Sequence, residues 1–199
     1  MSPLTYTIDT APAATLVTLE AQKKHMYVDH NDDDDYIQIL INLAERYTEI
    51  ITQRYLGTQS WTLSIDAFPV KENGLIQILR NPVQSITAIN YLDTDGNSQL
   101  LATSEYVVDS KSAPCRIVQA EGSTYPGTKD TLNAVTITFD CGYDTIKALN
   151  EQNPAIAHAV KLIAAEWYEN REDAQDVRLE SIPHGAAQLL SMAGVHTYT

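Results

Sequence analysis

Three observations predict an α+β fold for this chain. Helical periodicity marks one long stretch near each end, over about residues 34–56 and 154–172. Between them, over 60–142, apolar positions recur every second place in several short runs separated by turn residues. No run in that section alternates with a helix, so the strands pair antiparallel rather than through βαβ units.

Taken in order, residues 1–15 are rich in Thr, Pro and Ala without a period, and are expected to form a flexible arm. Thr18 is placed to cap a short helix, Leu19 to Met26, with Glu20 in its first turn. The long helix follows within DDDDYIQILINLAERYTEIITQRYLG, Asp32 to Gly57. Tyr36, Leu40, Leu43, Tyr47 and Ile50 step by four and three, and Ile37, Ile41, Ala44, Ile51 and Tyr55 widen the stripe. Such a helix must bury more than a narrow seam. Its start carries Asp32, Asp33, Asp34 and Asp35, acceptors for the orphan N–H groups at the positive end of the dipole. Gly57 suits the left-handed position after the last turn.

Trp61, Leu63 and Ile65 alternate with Thr62, Ser64 and Asp66, the pattern of a half-buried strand. Further strands are predicted at Leu75–Leu79, Val83–Leu92, Gln99–Leu101, Tyr106–Asp109, Cys115–Gln119 and Ala134–Asp140, with Asp95-Gly96 as a hairpin turn. Glu121–Asp130 reads as an exposed loop. Asn153 and Pro154 open the second long helix, cap and first helical position respectively. Its apolar steps Ile156, Val160, Ile163 and Trp167 direct it against the first. One domain, 16–180, is expected, followed by a tail, 181–199, with a small apolar patch at Leu189, Leu190 and Met192.

The 199 residues hold 13 basic and 26 acidic side chains, a net charge of −13. That balance argues against a protein that grips nucleic-acid phosphates. No run of 18 apolar residues occurs and the N-terminus lacks a signal-peptide pattern, so no membrane span is expected. Cys115 and Cys141 match no metal spacing and are expected to be buried free thiols.

Catalysis finds little footing. Asp29, Asn31 and Asp33 alternate as in a calcium loop, but Asp34 and Leu40 stand where Gly and Glu are needed. His25, His30, His158, His184 and His196 are scattered, and no nucleophile elbow or phosphate loop is present. No catalytic residue, metal site or cofactor is therefore expected. Tyr47, Tyr55, Trp167 and Tyr168 lie on helix faces, placed for core or subunit packing.

The order of segments resembles the head–tail connector (adaptor) family of long-tailed bacteriophages and prophages. The resemblance is carried by VTLEAQKKHMYVDHNDDDDYIQILINLAERYTEIITQRYLGTQSWTLSIDAFP, LRNPVQSITAINYLDTDGN, EYVVD, VTITFDCGY, NPAIAHAVKLIAAEWYENRE and IPHGAAQLL, in that order. It spans roughly residues 16–193. It implies a structural virion protein of the neck, assembled in the host cytoplasm. Its partners would be the portal protein, copies of itself in a dodecameric ring, and a stopper, terminator or other neck protein. Double-stranded DNA would pass without specific binding, and the acidic Asp32–Asp35 run is a candidate lumen lining. The segment after Pro183 would be the portal-contacting arm, with Leu189, Leu190 and Met192 as contacts. Where the family carries a basic residue soon after the Leu-Leu pair, this chain has Ser191, Met192 and Ala193. The rival readings are another neck ring protein, a β module that binds host carbohydrate, and a small hydrolase or metal-dependent enzyme.

Overall fold

The computed structural model describes residues 4–70, 72–170 and 183–194. They form two compact units: one of Ala13–Gly57 with the stretch from Tyr143 onward, the other of Thr58–Gly142 with the N-terminal stretch to Pro12. The sequence predicts a single domain instead, with the strands as an insertion.

The helical unit contains α1 (Leu19–Met26), α2 (Asp34–Thr52), α3 (Ile146–Gln152), α4 (Pro154–Glu169) and α5 (His184–Ala193). α4 packs on each of the other four, and the two long helices α2 and α4 lie against each other as their periodicity requires. Ile37, Leu40, Ile41 and Ala44 of α2 meet Ile156, Val160 and Ile163 of α4 in one buried cluster. The Thr18 hydroxyl caps α1 by accepting the Ala21 N–H at 3.2 Å. α3, unforeseen in the sequence, is capped in the same way by Thr145 through Ala148.

Both long helices have their N-caps where the sequence places them, at Asp33 and Asn153, but neither side chain makes the cap bond. No Asp side chain caps α2: its N-cap is Asp33, whose carboxylate accepts the Tyr168 hydroxyl at 2.6 Å instead. Asn153 precedes α4 without a side-chain cap bond, because its amide donates to the Tyr143 hydroxyl at 2.8 Å. Gly57 does not end α2 either. The helix stops at Thr52, where Gln53 takes the left-handed conformation and its side chain donates back to the Ile50 carbonyl at 2.8 Å. The chain then turns so that the Leu56 N–H reaches the Glu49 carboxylate at 2.8 Å.

The second unit holds two antiparallel sheets. β1 (Thr5–Thr10), β2 (Gln59–Ile65), β8 (Val135–Cys141), β4 (Val83–Leu92) and β5 (Ser98–Leu100) lie side by side in that order. β3 (Ile76–Ile78), β7 (Cys115–Gln119) and β6 (Tyr106–Asp109) make the smaller sheet. β8 is central, and its alternate residues Val135, Ile137, Phe139 and Cys141 are fully buried. The Asp95-Gly96 turn joins β4 to β5. There the Asp93 carboxylate accepts the N–H groups of Asp95 and Asn97, at 3.0 and 2.8 Å. The Gln99 amide, with those N–H groups, holds the Asp93 carboxyl below its usual range. Cys115 and Cys141 are buried and form no disulfide, and burial pushes the Cys115 thiol up to about 11.

The N-terminal segment is not a flexible arm over residues 5–10. It adds β1 to the edge of the larger sheet, in register from Thr5 with Ser64 to Ile8 with Trp61, and after a shift at Asp9 pairs Thr10 with Ser60. Tyr6 anchors it: its hydroxyl accepts the Leu79 N–H at 3.0 Å and its ring meets Phe139 edge-on. The Arg80 guanidinium lies over both the Tyr6 and Trp61 rings, at 4.7 and 4.5 Å from their centroids. An edge strand rich in threonine has only this aromatic to bury, which is why periodicity does not reveal it. Tyr6→Ala is expected to cost about 2 kcal/mol and to speed amide exchange selectively along β1, measured by hydrogen–deuterium exchange.

Candidate functional site

The candidate residues of the helical unit fall in three places. The first is α5. Pro183 precedes it and the Ala187 N–H returns to the Pro183 carbonyl at 3.0 Å. Leu190 is 1% exposed, packed with Ala186 and Ala193 into the core of its own unit, and Leu189 is partly buried beside it. Met192 is 78% exposed. Of the predicted contact residues, Leu190 is therefore internal in the free chain, and Met192 is the one presented to solvent. The Arg54 guanidinium donates to the Ala193 carbonyl at 2.9 Å, tying the end of α5 to the segment after α2. The predicted docking tail is, over residues 184–193, a packed helix. Leu190→Ala should cost about 2–3 kcal/mol in a chemical denaturation series, whereas Met192→Ala should leave stability unchanged.

The second place is the aromatic seam of α2 and α4. Tyr47 meets Trp167 edge-on at 6.2 Å, and Tyr36 lies 6.3 Å from Tyr168. These four rings pack the helix pair, and Tyr47, Trp167 and Tyr168 remain only half-covered. Tyr55, expected on the face of the first long helix, lies instead beyond the end of α2 and is buried.

The acidic run is the third place, and its carboxylates diverge. Asp33 is engaged by Tyr168, Asp34 pairs with Lys23 at 2.6 Å, Asp32 is 3.9 Å from His30, and Asp35 is exposed. Among the described residues no group of three or more His, Cys, Asp or Glu side chains could hold a metal ion. His158 does meet another imidazole, His25, at 5.9 Å between centroids. Burial, with His158 and Lys161 nearby, lowers the His25 pKa.

The structure also brings together groups that the sequence does not single out. Glu45 and Glu49, one turn apart on α2, are each only 8% exposed. Glu45 accepts the Val17 N–H at 2.8 Å, and Glu49 accepts the Leu56 N–H while pairing with Arg46 at 2.7 Å. Burial raises the Glu45 pKa to about 7, against the pull of the Val17 and Leu16 N–H groups and with a further push from Glu49. Their spacing of four was the available signal, since it puts both on the side of Ile41 and Ala44.

In the sheet unit, the aromatics that would serve a carbohydrate groove are inside. Trp61 and Tyr125 are 7% and 8% exposed, and Tyr125 stacks on Phe68 at 4.5 Å between centroids. Tyr125 belongs to the segment expected as an exposed loop. It is drawn in because it closes over Phe68 and over Gly74, where any Cβ would meet its ring at 2.5 Å.

Compared with known families, residues 16–110 match the phage gp6-like head–tail connector proteins. Over that span the chain is similar to this family. The fold is also that of solved neck chains from gene transfer agent particles. One is from the neck of an empty particle computed with C6 symmetry: TM-score 0.78, 20% identity, covering 98% of this chain and 97% of that one. Another, from the virion of the native particle, gives 0.75 and 21% with the same coverage. A third, from the native neck computed with C12 symmetry, gives 0.74 and 20%, again over 98% and 97%. No curated protein matches. No helix among the described residues of the chain is long and apolar enough to cross a membrane.

Proposed function

We propose that this chain is a head–tail connector that assembles as a ring on the portal vertex, in the neck of a phage or phage-like particle. The next neck protein or the tail joins to it, and double-stranded DNA passes through without specific binding. The family match over residues 16–110 carries this reading, supported by a fold shared along 98% of the chain with proteins of particle necks. A dodecamer is the copy number we infer, in keeping with the C12 symmetry in which a similar neck was computed. A ring of identical chains closes through two different patches on each copy, so neither patch need be self-complementary.

The exposed end of α5, Met192 above all, is the portal contact on this reading. Leu190 would contribute only if α5 leaves its own core. Exposed Asp32 and Asp35 suit a lumen that repels DNA phosphates. Packing of α2 against α4 counts against a strand-dominated stopper or tail terminator. The test is electron microscopy of the purified chain mixed with the portal ring of the same particle. An added layer of density on the portal supports the reading; a portal unchanged at saturating connector overturns it.

A further inference from the structure

We propose that the outward apolar face of α2 is the surface against which the neighbouring copy of this chain closes the ring. The inference rests on the ring reading above and assigns its contact. α2 is apolar on two sides. Ile37, Leu40, Ile41 and Ala44 face the core of the helical unit. Ile39, Leu43 and Ile50 stand 54%, 52% and 66% exposed. At the helical angle per residue these three fall within about 40° of one another, and half-buried Tyr36 and Tyr47 continue the same side.

The second half of the helix is inverted. Glu45, Thr48, Glu49 and Thr52 are buried while Ile50 and Ile51 face water. The buried side has its compensation: Val17 and Leu56 donate to the two carboxylates, and the Thr52 hydroxyl donates to the Thr48 carbonyl at 2.7 Å. Among the described residues nothing covers the apolar side, and an exposed apolar patch of this kind marks an interaction surface.

Area and charge point to a second copy as the cover. The three ridge residues expose on the order of 300 Å², well under half of the ~800 Å² each partner gives to a stable pair. That is too little for an isolated dimer, and suits a contact repeated around a closed ring, where every copy is held from two sides. Arg46, which pairs with Glu49 at 2.7 Å, stands beside the ridge with its side chain still 59% exposed. A neighbour with 26 acidic and 13 basic side chains offers it a predominantly acidic surface. The acidic start of α2 speaks against an anionic membrane as the cover.

The test uses the full chain with the portal ring. Leu43→Glu should leave the circular dichroism spectrum and melting temperature unchanged, because the side chain is exposed, and should reduce ring assembly at least about ten-fold. A photo-crosslinking phenylalanine analogue at position 43 should join one connector copy to the next. Rings of Leu43→Glu formed as readily as the wild type, or crosslinks only to portal, would overturn this face while leaving the ring reading intact. Failure of the wild-type chain to form any ring would overturn that reading and this inference together.

Discussion

Replacing Phe139 by alanine should destabilise the sheet unit by about 3–5 kcal/mol, the largest effect expected of any single truncation in this chain. Phe139 is fully buried on β8, the central strand, with Trp61 of β2 and Ile86 of β4 as its register partners on either side. It also carries the edge contact with Tyr6. Removing the ring therefore opens a cavity where three neighbouring strands meet, and the pleat cannot close over it without moving hydrogen-bonded backbone. Phe139→Leu is the control. It keeps most of the volume and should cost less than about 1.5 kcal/mol. Hydrogen–deuterium exchange would read the difference, with protection lost across β1, β2, β4 and β8 in the alanine variant. Equal protection in both variants would mean that the ring does not hold these strands together.

The same strand shows how much of the fold was legible. Val135, Ile137 and Phe139 alternate with threonine and aspartate, so period and burial coincide and the strand is found within a residue of its bounds. The pairing of α2 with α4 was legible for the same reason. α2 also shows where periodicity ends as a guide. The stripe Tyr36, Leu40, Leu43, Tyr47 and Ile50 is a valid helical face, yet only Leu40 is fully inside, and Leu43 and Ile50 are exposed. Hydropathy identifies an apolar face but not what covers it. The polar face that turned inward was hidden too, because Glu45 and Glu49 are buried only by virtue of backbone N–H groups 28 and 7 residues away. α5 lies in a short Ala-rich stretch with a glycine near its start, where propensity is weak and docking on α4 decides the matter.

Glu45 supplies the second large effect, a dependence of stability on pH that a buried carboxylate imposes. Its folded pKa, about 7, lies above the ordinary value of 4.5, chiefly through burial. A group raised in this way stabilises the fold fully below the unfolded pKa, and that contribution is lost as pH rises through the folded one. Between about pH 4.5 and 7 the chain should accordingly lose about 3 kcal/mol from this side chain. Glu45→Gln keeps an oxygen to accept the Val17 N–H and removes the charge. It is expected to match or fall slightly below wild type near pH 5 and to exceed it by about 2–3 kcal/mol at pH 8, as measured by urea denaturation. Taking the difference between the two proteins at each pH cancels the other titrations, including Asp93 and Asp109, whose lowered pKa values act in the opposite sense. Parallel pH profiles for wild type and Glu45→Gln would show that the Glu45 carboxylate is hydrated in solution. Divergent profiles would mean that the segment entering α1 is held to α2 by a group that changes charge near neutrality.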